Sequence, residues 1–182
     1  MFLIDFLYIF ILILIAVFSV LVIKFINDII RGYAPFVQTK DSTLDIIFKN
    51  IDLDKNFRGK VCELGCGEAN FLKRIKDNYP KTKCLGLEYS FIPYLRSRLK
   101  LRGKYLGIKL QRKNFFQADL SEQNLIYCFL NGLMMKKVEA KIKSDCQNGT
   151  IVISYGFPFP GLTPEKEIVV NDNQDKVYFY KF

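Results

Sequence analysis

Apolar and polar positions divide the chain into two unlike parts. From Phe6 to Ile23, "FLYIFILILIAVFSVLVI", eighteen consecutive residues carry no charge. At 1.5 Å per residue such a helix is roughly 27 Å long, close to the hydrocarbon thickness of a bilayer. A cleaved signal peptide would need a basic start and a small-residue cleavage site. The chain opens "MFLID" and has no A-x-A pattern after the run, so a retained transmembrane anchor over residues 1–24 is expected. Residues 25–40 then read as a juxtamembrane linker, with Pro35 near its end.

Beyond the linker the apolar residues recur with short periods. Leu44, Ile47, Phe48 and Ile51 have helical spacing over Asp41 to Asp54, with Asp41 or Ser42 as N-cap. Lys60 to Leu64 reads as a strand, followed by "GCGEAN" and a helix from Ala69 to Asn78 that stops before Pro80. The same reading gives strands at Cys84 to Glu88, Ile108 to Phe116, Leu125 to Leu130 and Thr150 to Tyr155. Helices are expected at Ile92 to Leu101 and Leu133 to Lys143, and a closing antiparallel pair at Glu167 to Val170 and Val177 to Phe182. Alternating strands and helices predict an α/β domain over 41–182, a Rossmann-like, mostly parallel sheet covered on both faces. Ligands of such sheets bind outside the carboxyl ends of the strands.

Charge and composition narrow the chemistry. The formal charge is +9, and Asp5 is the sole charged residue before Lys24. A basic domain favours anionic surfaces, which include phospholipid headgroups, nucleic acid and acidic proteins. The span raises the lipid bilayer among these partners. Lys24 and Arg31 follow the span while no lysine or arginine precedes it, so the N-terminus is expected outside and the domain in the cytoplasm. An odd number of cysteines, five, of which Cys62, Cys66, Cys84 and Cys128 fall on or beside apolar stretches, and no histidine point away from a disulfide framework and from a metal site. Without histidine, a general base near neutral pH is a carboxylate, tyrosine, lysine or water.

The loop "ELGCGEANF" places Glu63 at the end of the first strand, with Gly65 and Gly67 in the turn. Glu88 ends the second strand 21 residues after Gly67, where an acid can accept hydrogen bonds from ribose hydroxyls. Together they indicate a nucleoside ligand. A carboxylate at Glu63 would stand poorly beside a pyrophosphate, yet well beside the ammonium and sulfonium of S-adenosylmethionine.

These residues resemble the seven-strand S-adenosylmethionine-dependent methyltransferases. More closely, the chain is similar to the membrane-anchored lysine methyltransferases that act on the c-ring protein of ATP synthase and on the adenine nucleotide carrier, and to their prokaryotic relatives. The matching stretches are "PFVQT" (35–39), "ELGCGEANF" (63–71), "GLEYS" (86–90), "NFFQADLS" (114–121), Met134 and Met135 with "EAKI" following, and "FPFPGLTP" (157–164). The resemblance implies a seven-strand sheet after one transmembrane helix, S-adenosylmethionine as cofactor, and methyl transfer to a lysine of a membrane-associated protein. It implies cofactor contacts at Phe36, Thr39, Glu63, Gly65, Cys66, Gly67, Glu88, Tyr89, Asn114 and Phe115. Asn131, Phe157, Pro158 and Phe159, after the fourth and fifth strands, are the candidates for substrate contact.

Gln38 stands where the family has a second proline, Asn114 where it has an aspartate, and the family's C-terminal tryptophans are absent. A silent S-adenosylmethionine-binding module and a small-molecule or lipid methyltransferase are the competing readings. Eight basic and no acidic residues lie between Arg96 and Lys113. They read either as a solvated face or as a patch on the anionic leaflet. Nucleic acid is not expected, since Gly132 and Leu133 follow Asn131 where base-modifying enzymes have an aromatic loop.

Overall fold

The computed structural model describes residues 2–30 and 37–182, so Phe36 lies outside the described residues. The chain forms two compact units, Met1–Pro35 and Phe36–Phe182. Among the described residues the first contains one helix, α1 (Phe2–Ile30). Within it Ile4–Ile23 is long and apolar enough to cross a membrane, and its side chains are exposed all round. The linker expected over 25–40 is helical for its first six residues. The physical reason is that no glycine or proline precedes Gly32 to stop the helix.

The second unit begins its regular structure with α2 (Asp41–Asn50), and α3 (Asn70–Asn78), α4 (Phe91–Lys100) and α5 (Met135–Asp145) follow around one sheet. Its strands are β1 (Lys60–Leu64), β2 (Lys83–Glu88), β3 (Ile108–Arg112), β4 (Leu125–Cys128), β5 (Ile151–Tyr155), β6 (Lys166–Val169) and β7 (Lys176–Lys181). The order is β3-β2-β1-β4-β5-β7-β6. β1 to β5 pair in parallel, and β7 runs antiparallel to both β5 and β6. The chain leaves β1 towards β3 and returns to β4 on the other side, so the topological switch lies at the carboxyl ends of β1 and β4.

The period of two along each strand sorts side chains between the faces. Val61, Leu125, Tyr127, Ile153 and Phe179 join a core with Leu44 and Ile47 of α2 and Phe71, Leu72 and Ile75 of α3. The alternate positions Cys62, Leu64, Ile126, Cys128 and Val152 are equally buried on the opposite face. Phe71 stacks on Tyr127 with ring centroids 4.2 Å apart, which locks α3 onto β4 beneath the switch point. All five cysteines are free thiols.

Several boundaries shift from the expected ones. α2 stops at Asn50 rather than Asp54 because Ile51 is extended, and its N-cap is Lys40 without a side-chain bond rather than Asp41 or Ser42. β3 stops at Arg112, where Asn114 instead caps a 3-10 turn over Phe115–Gln117. A second 3-10 turn, Gly132–Met134, takes the start of the expected fifth helix.

Candidate functional site

The loop after β1 is left-handed at three of five residues: Gly65 (φ +66°), Gly67 (+47°) and Ala69 (+56°). Two are glycines, for which this region carries no steric penalty. The bend turns the backbone donors inward. Gly65 and Cys66 both donate N–H to the Leu87 carbonyl, at 2.8 and 3.0 Å, and Ala69 donates to Cys66 at 2.6 Å. Gly67 N–H donates to Glu88 Oε2 at 3.1 Å, while Ser90 N–H donates to Glu88 Oε1 at 2.7 Å. A phosphate-binding loop aims such donors at its ligand. Here four of the five loop N–H groups are consumed internally, and the strand end and loop present carboxylates instead.

Those carboxylates are Glu63 and Glu68, which line a recess with Gln38, Thr39, Asn70 and Phe129. Its cavity volume is about 20 Å³, space for roughly one water. Glu63 is 6% exposed, and among the described residues no lysine or arginine forms an ion pair with it. Its donor is the N–H of Leu72, at a long 3.4 Å. Burial therefore pushes its carboxyl up to about 8; the Leu72 N–H and the Lys73 ammonium oppose the rise, and Glu88 adds to it. Glu68, in contrast, pairs with Lys100 at 2.5 Å. Despite the desolvation that opposes ionisation, the Lys100 bond holds its carboxyl below the usual range.

The lead-in segment closes the recess from one side. Thr39 Oγ1 and the Tyr127 hydroxyl share a buried 2.7 Å hydrogen bond, so the ring that stacks on Phe71 also pins Thr39. Gln38 Oε1 accepts from Asn70 Nδ2 at 3.3 Å. The core thereby fixes the Thr39 wall of the recess, and an exposed amide pair ties Gln38 to the start of α3.

A wider cleft of about 520 Å³ lies beyond Glu88, lined by Tyr89, Arg112, Lys113, Asn114 and Gln117. Asn114 Oδ1 accepts the Phe116 N–H at 3.0 Å, so its amide nitrogen is the end left for a ligand.

Thr39, Glu63, Gly65 and Cys66 thus meet in the recess, while Tyr89 and Asn114 meet in the cleft, and Gly67 and Glu88 are hydrogen-bonded to one another. Three expected contacts sit differently. The Cys66 thiol fills the space over Gly86, where an added Cβ would meet Sγ at 2.8 Å. Phe115 is buried, its ring 4.4 Å from that of Phe116. Phe159 is 1% exposed, packed on Tyr180 with centroids 4.8 Å apart, because its N–H binds the Tyr180 hydroxyl and draws it inward. Phe157 and Pro158 stay exposed, and Phe157 covers Gly132 beside Asn131, whose side chain caps the following turn. Gln38, Glu68, Asn70 and Phe129, and Arg112, Lys113 and Gln117, line the site without having been expected as contacts. Phe129 directly follows β4, a signal the strand-end rule supplies, whereas Gln117 carries no such signal.

The fold recurs among solved methyltransferases. An RNA methyltransferase from Salinibacter ruber, bound to S-adenosyl-L-homocysteine, has a TM-score of 0.71 at 20% identity, covering 80% of this chain and 93% of that one. The precorrin-6y C5,15-methyltransferase of Geobacter metallireducens has a TM-score of 0.60 at 13% identity, covering 80% and 88%. By sequence, a protein-lysine N-methyltransferase of Saccharolobus islandicus is 23% identical over 154 residues, 82% of this chain and 96% of that protein. A lysine N-methyltransferase of Mus musculus, named for the c-ring protein of ATP synthase, is 23% identical over 149 residues, which span 80% of this chain and 57% of the mouse protein. Residues 63–166, more than half of the chain, match the ANTKMT methyltransferase domain family. The chain belongs to that family, and is a class I S-adenosylmethionine-dependent methyltransferase.

Proposed function

We propose that this enzyme methylates lysine side chains of a membrane-associated protein from the cytoplasmic side. The observation that carries the cofactor's orientation is the loop with its donors turned inward and a buried, unpaired Glu63 facing the recess. That set suits a cation and not a phosphate. S-adenosylmethionine, when bound, supplies a methyl on a sulfonium, with an ammonium and ribose hydroxyls to be held. Glu63 accepts the ammonium. Glu88 takes the ribose on the lone pairs that Gly67 and Ser90 leave, since a carboxylate has about four acceptor sites. Asn114 meets the base with its amide nitrogen, and Thr39 and Gln38 exclude water from the recess.

In-line displacement needs alignment in a dry site more than it needs an acid or base. A lysine amine with a reference pKa near 10.4 is mostly charged at neutral pH. Desolvation at a bilayer edge lowers that pKa and raises the reactive fraction, with water taking the proton. The names of the archaeal and mouse relatives support lysine as acceptor. The span Ile4–Ile23 and the Lys24 that follows support a membrane location with the domain inside.

Incubating the full chain with methyl-labelled cofactor and membrane extract tests this. Label is expected on lysines of integral membrane proteins by mass spectrometry. Label confined to lipid, RNA or soluble protein, or cofactor binding without turnover, would refute it.

A further inference from the structure

α4 has an unusual surface for a helix that covers a sheet. Its buried side is small: Ser97 is fully buried and hydrogen-bonds back to Pro93. Its outer side carries Phe91, Ile92, Leu95 and Leu99, which are 55, 64, 42 and 55% exposed. At 3.6 residues per turn these four fall within an arc of about 100°. Arg96 lies just past one edge of that arc and Arg98 just past the other. Both are exposed, as is Arg102 beyond the helix end. The result is a convex apolar ridge framed by guanidinium groups.

No acidic residue occurs from Tyr89 to Ala118. Of the eight basic residues between Arg96 and Lys113, Lys100 pairs with Glu68 and Lys104 with Asp77. The remaining six form no ion pair among the described residues.

We propose that α4 is an interfacial helix: Phe91, Ile92, Leu95 and Leu99 insert at the acyl boundary of an anionic leaflet while Arg96, Arg98 and Arg102 hold lipid phosphates. An in-plane helix needs one apolar face, cationic flanks and no acid among them, and α4 meets all three conditions. A second copy of this chain is a poor occupant, because mating two such ridges sets arginine against arginine. A ridge also lacks the concavity that seats a peptide, whereas a leaflet deforms around it. The inference shares with the membrane reading above the presence of a bilayer, but it assigns a separate contact that α1 does not provide.

The absence of tryptophan makes the test direct. The full chain carrying Leu95→Trp is placed in nanodiscs of phosphatidylcholine with phosphatidylglycerol, and cofactor binding confirms that the domain is folded. Leu99→Trp serves if Leu95→Trp does not fold. The indole emission is expected to shift to the blue and to be quenched by lipids brominated near the headgroup end of the chain. An Asn173→Trp control, on an exposed turn, is expected to stay unquenched. Adding Arg96→Glu and Arg98→Glu to Leu95→Trp should abolish the quenching. Indole emission unchanged by brominated lipid in chain-loaded discs would overturn the proposal, and so would a blue shift without quenching, which would mean a protein partner covers the ridge. A chain that fails to enter discs refutes the span instead. Brominated anionic vesicles added to that same chain then decide α4, since Leu95→Trp must still be quenched.

Discussion

The two ends of the proposed cofactor groove differ in how the fold holds them. At the recess, Glu63 and Thr39 sit against the Phe71–Tyr127 stack, in a volume of about 20 Å³. At the cleft, Tyr89, Arg112, Lys113 and Asn114 stand around about 520 Å³ open to solvent. One end is preorganised by the core and desolvated; the other is shaped by a strand end and a 3-10 turn, and water competes there. A charge inside the recess therefore carries more binding energy than a polar group in the cleft.

Replacing Glu63 tests the contrast where it is largest. A carboxyl held near pH 8 is mostly protonated at pH 7, whereas an ammonium partner requires it ionised. Cofactor affinity is expected to rise with pH up to about 8, by as much as about tenfold per unit. Glu63→Gln should lose about 100-fold in affinity at pH 8, above which the cofactor's own amine, with a reference pKa of about 7.7 to 8.0, deprotonates, and should lose the rising pH slope as well, by calorimetry. The stability effect has the opposite sign. A folded-state pKa raised above the unfolded carboxyl's 4.5 means the cofactor-free protein loses stability as pH rises from about 4.5 to 8. Denaturant unfolding at pH 8.5 should accordingly find cofactor-free Glu63→Gln more stable than the parent, by up to a few kcal/mol. An unchanged stability would show that burial does not govern this carboxyl.

Glu88 stands between the two ends and comes second. Glu88→Ala removes the proposed ribose acceptor and frees the N–H groups of Gly67 and Ser90. The expected loss is about 1.5 to 3 kcal/mol of cofactor affinity, roughly 10- to 150-fold. Parental affinity in this variant would remove Glu88 from the site.

The smallest effect belongs to the cleft. Asn114→Ala deletes an exposed-side amide and the cap on Phe116. It should cost about 1 kcal/mol in stability and less than about tenfold in affinity. A loss equal to that of Glu63→Gln would erase the distinction between the ends.

β1 was legible residue for residue because five consecutive positions between a basic loop and a glycine turn offer no other reading. Glu63 and Glu88 were legible because strand ends are where such folds put ligands. The strand read from Ile108 misled at its end: Phe115 and Phe116 are apolar like Ile108 and Leu110, yet four polar residues separate the two pairs and Asn114 diverts the backbone into a 3-10 turn. Periodicity registers that a side chain is apolar, and a strand and a buried turn satisfy that equally. Phe159, a candidate for substrate contact by its place after the fifth strand, is instead buried against Tyr180.

Local pattern by itself determined the elements, the span candidate, the α/β class and the acid-glycine loop, since each depends on residues a few positions apart. Tertiary structure decided what those residues face. Glu63 became unpaired and Glu68 paired because Lys100, 32 residues away, reaches only the second. Gly67 meets Glu88 across 21 residues, and Thr39 meets Tyr127 across 88. Burial and pairing are sums over neighbours from distant segments, so the charge state of a carboxyl and the closure of a recess emerge only when the sheet brings those segments together.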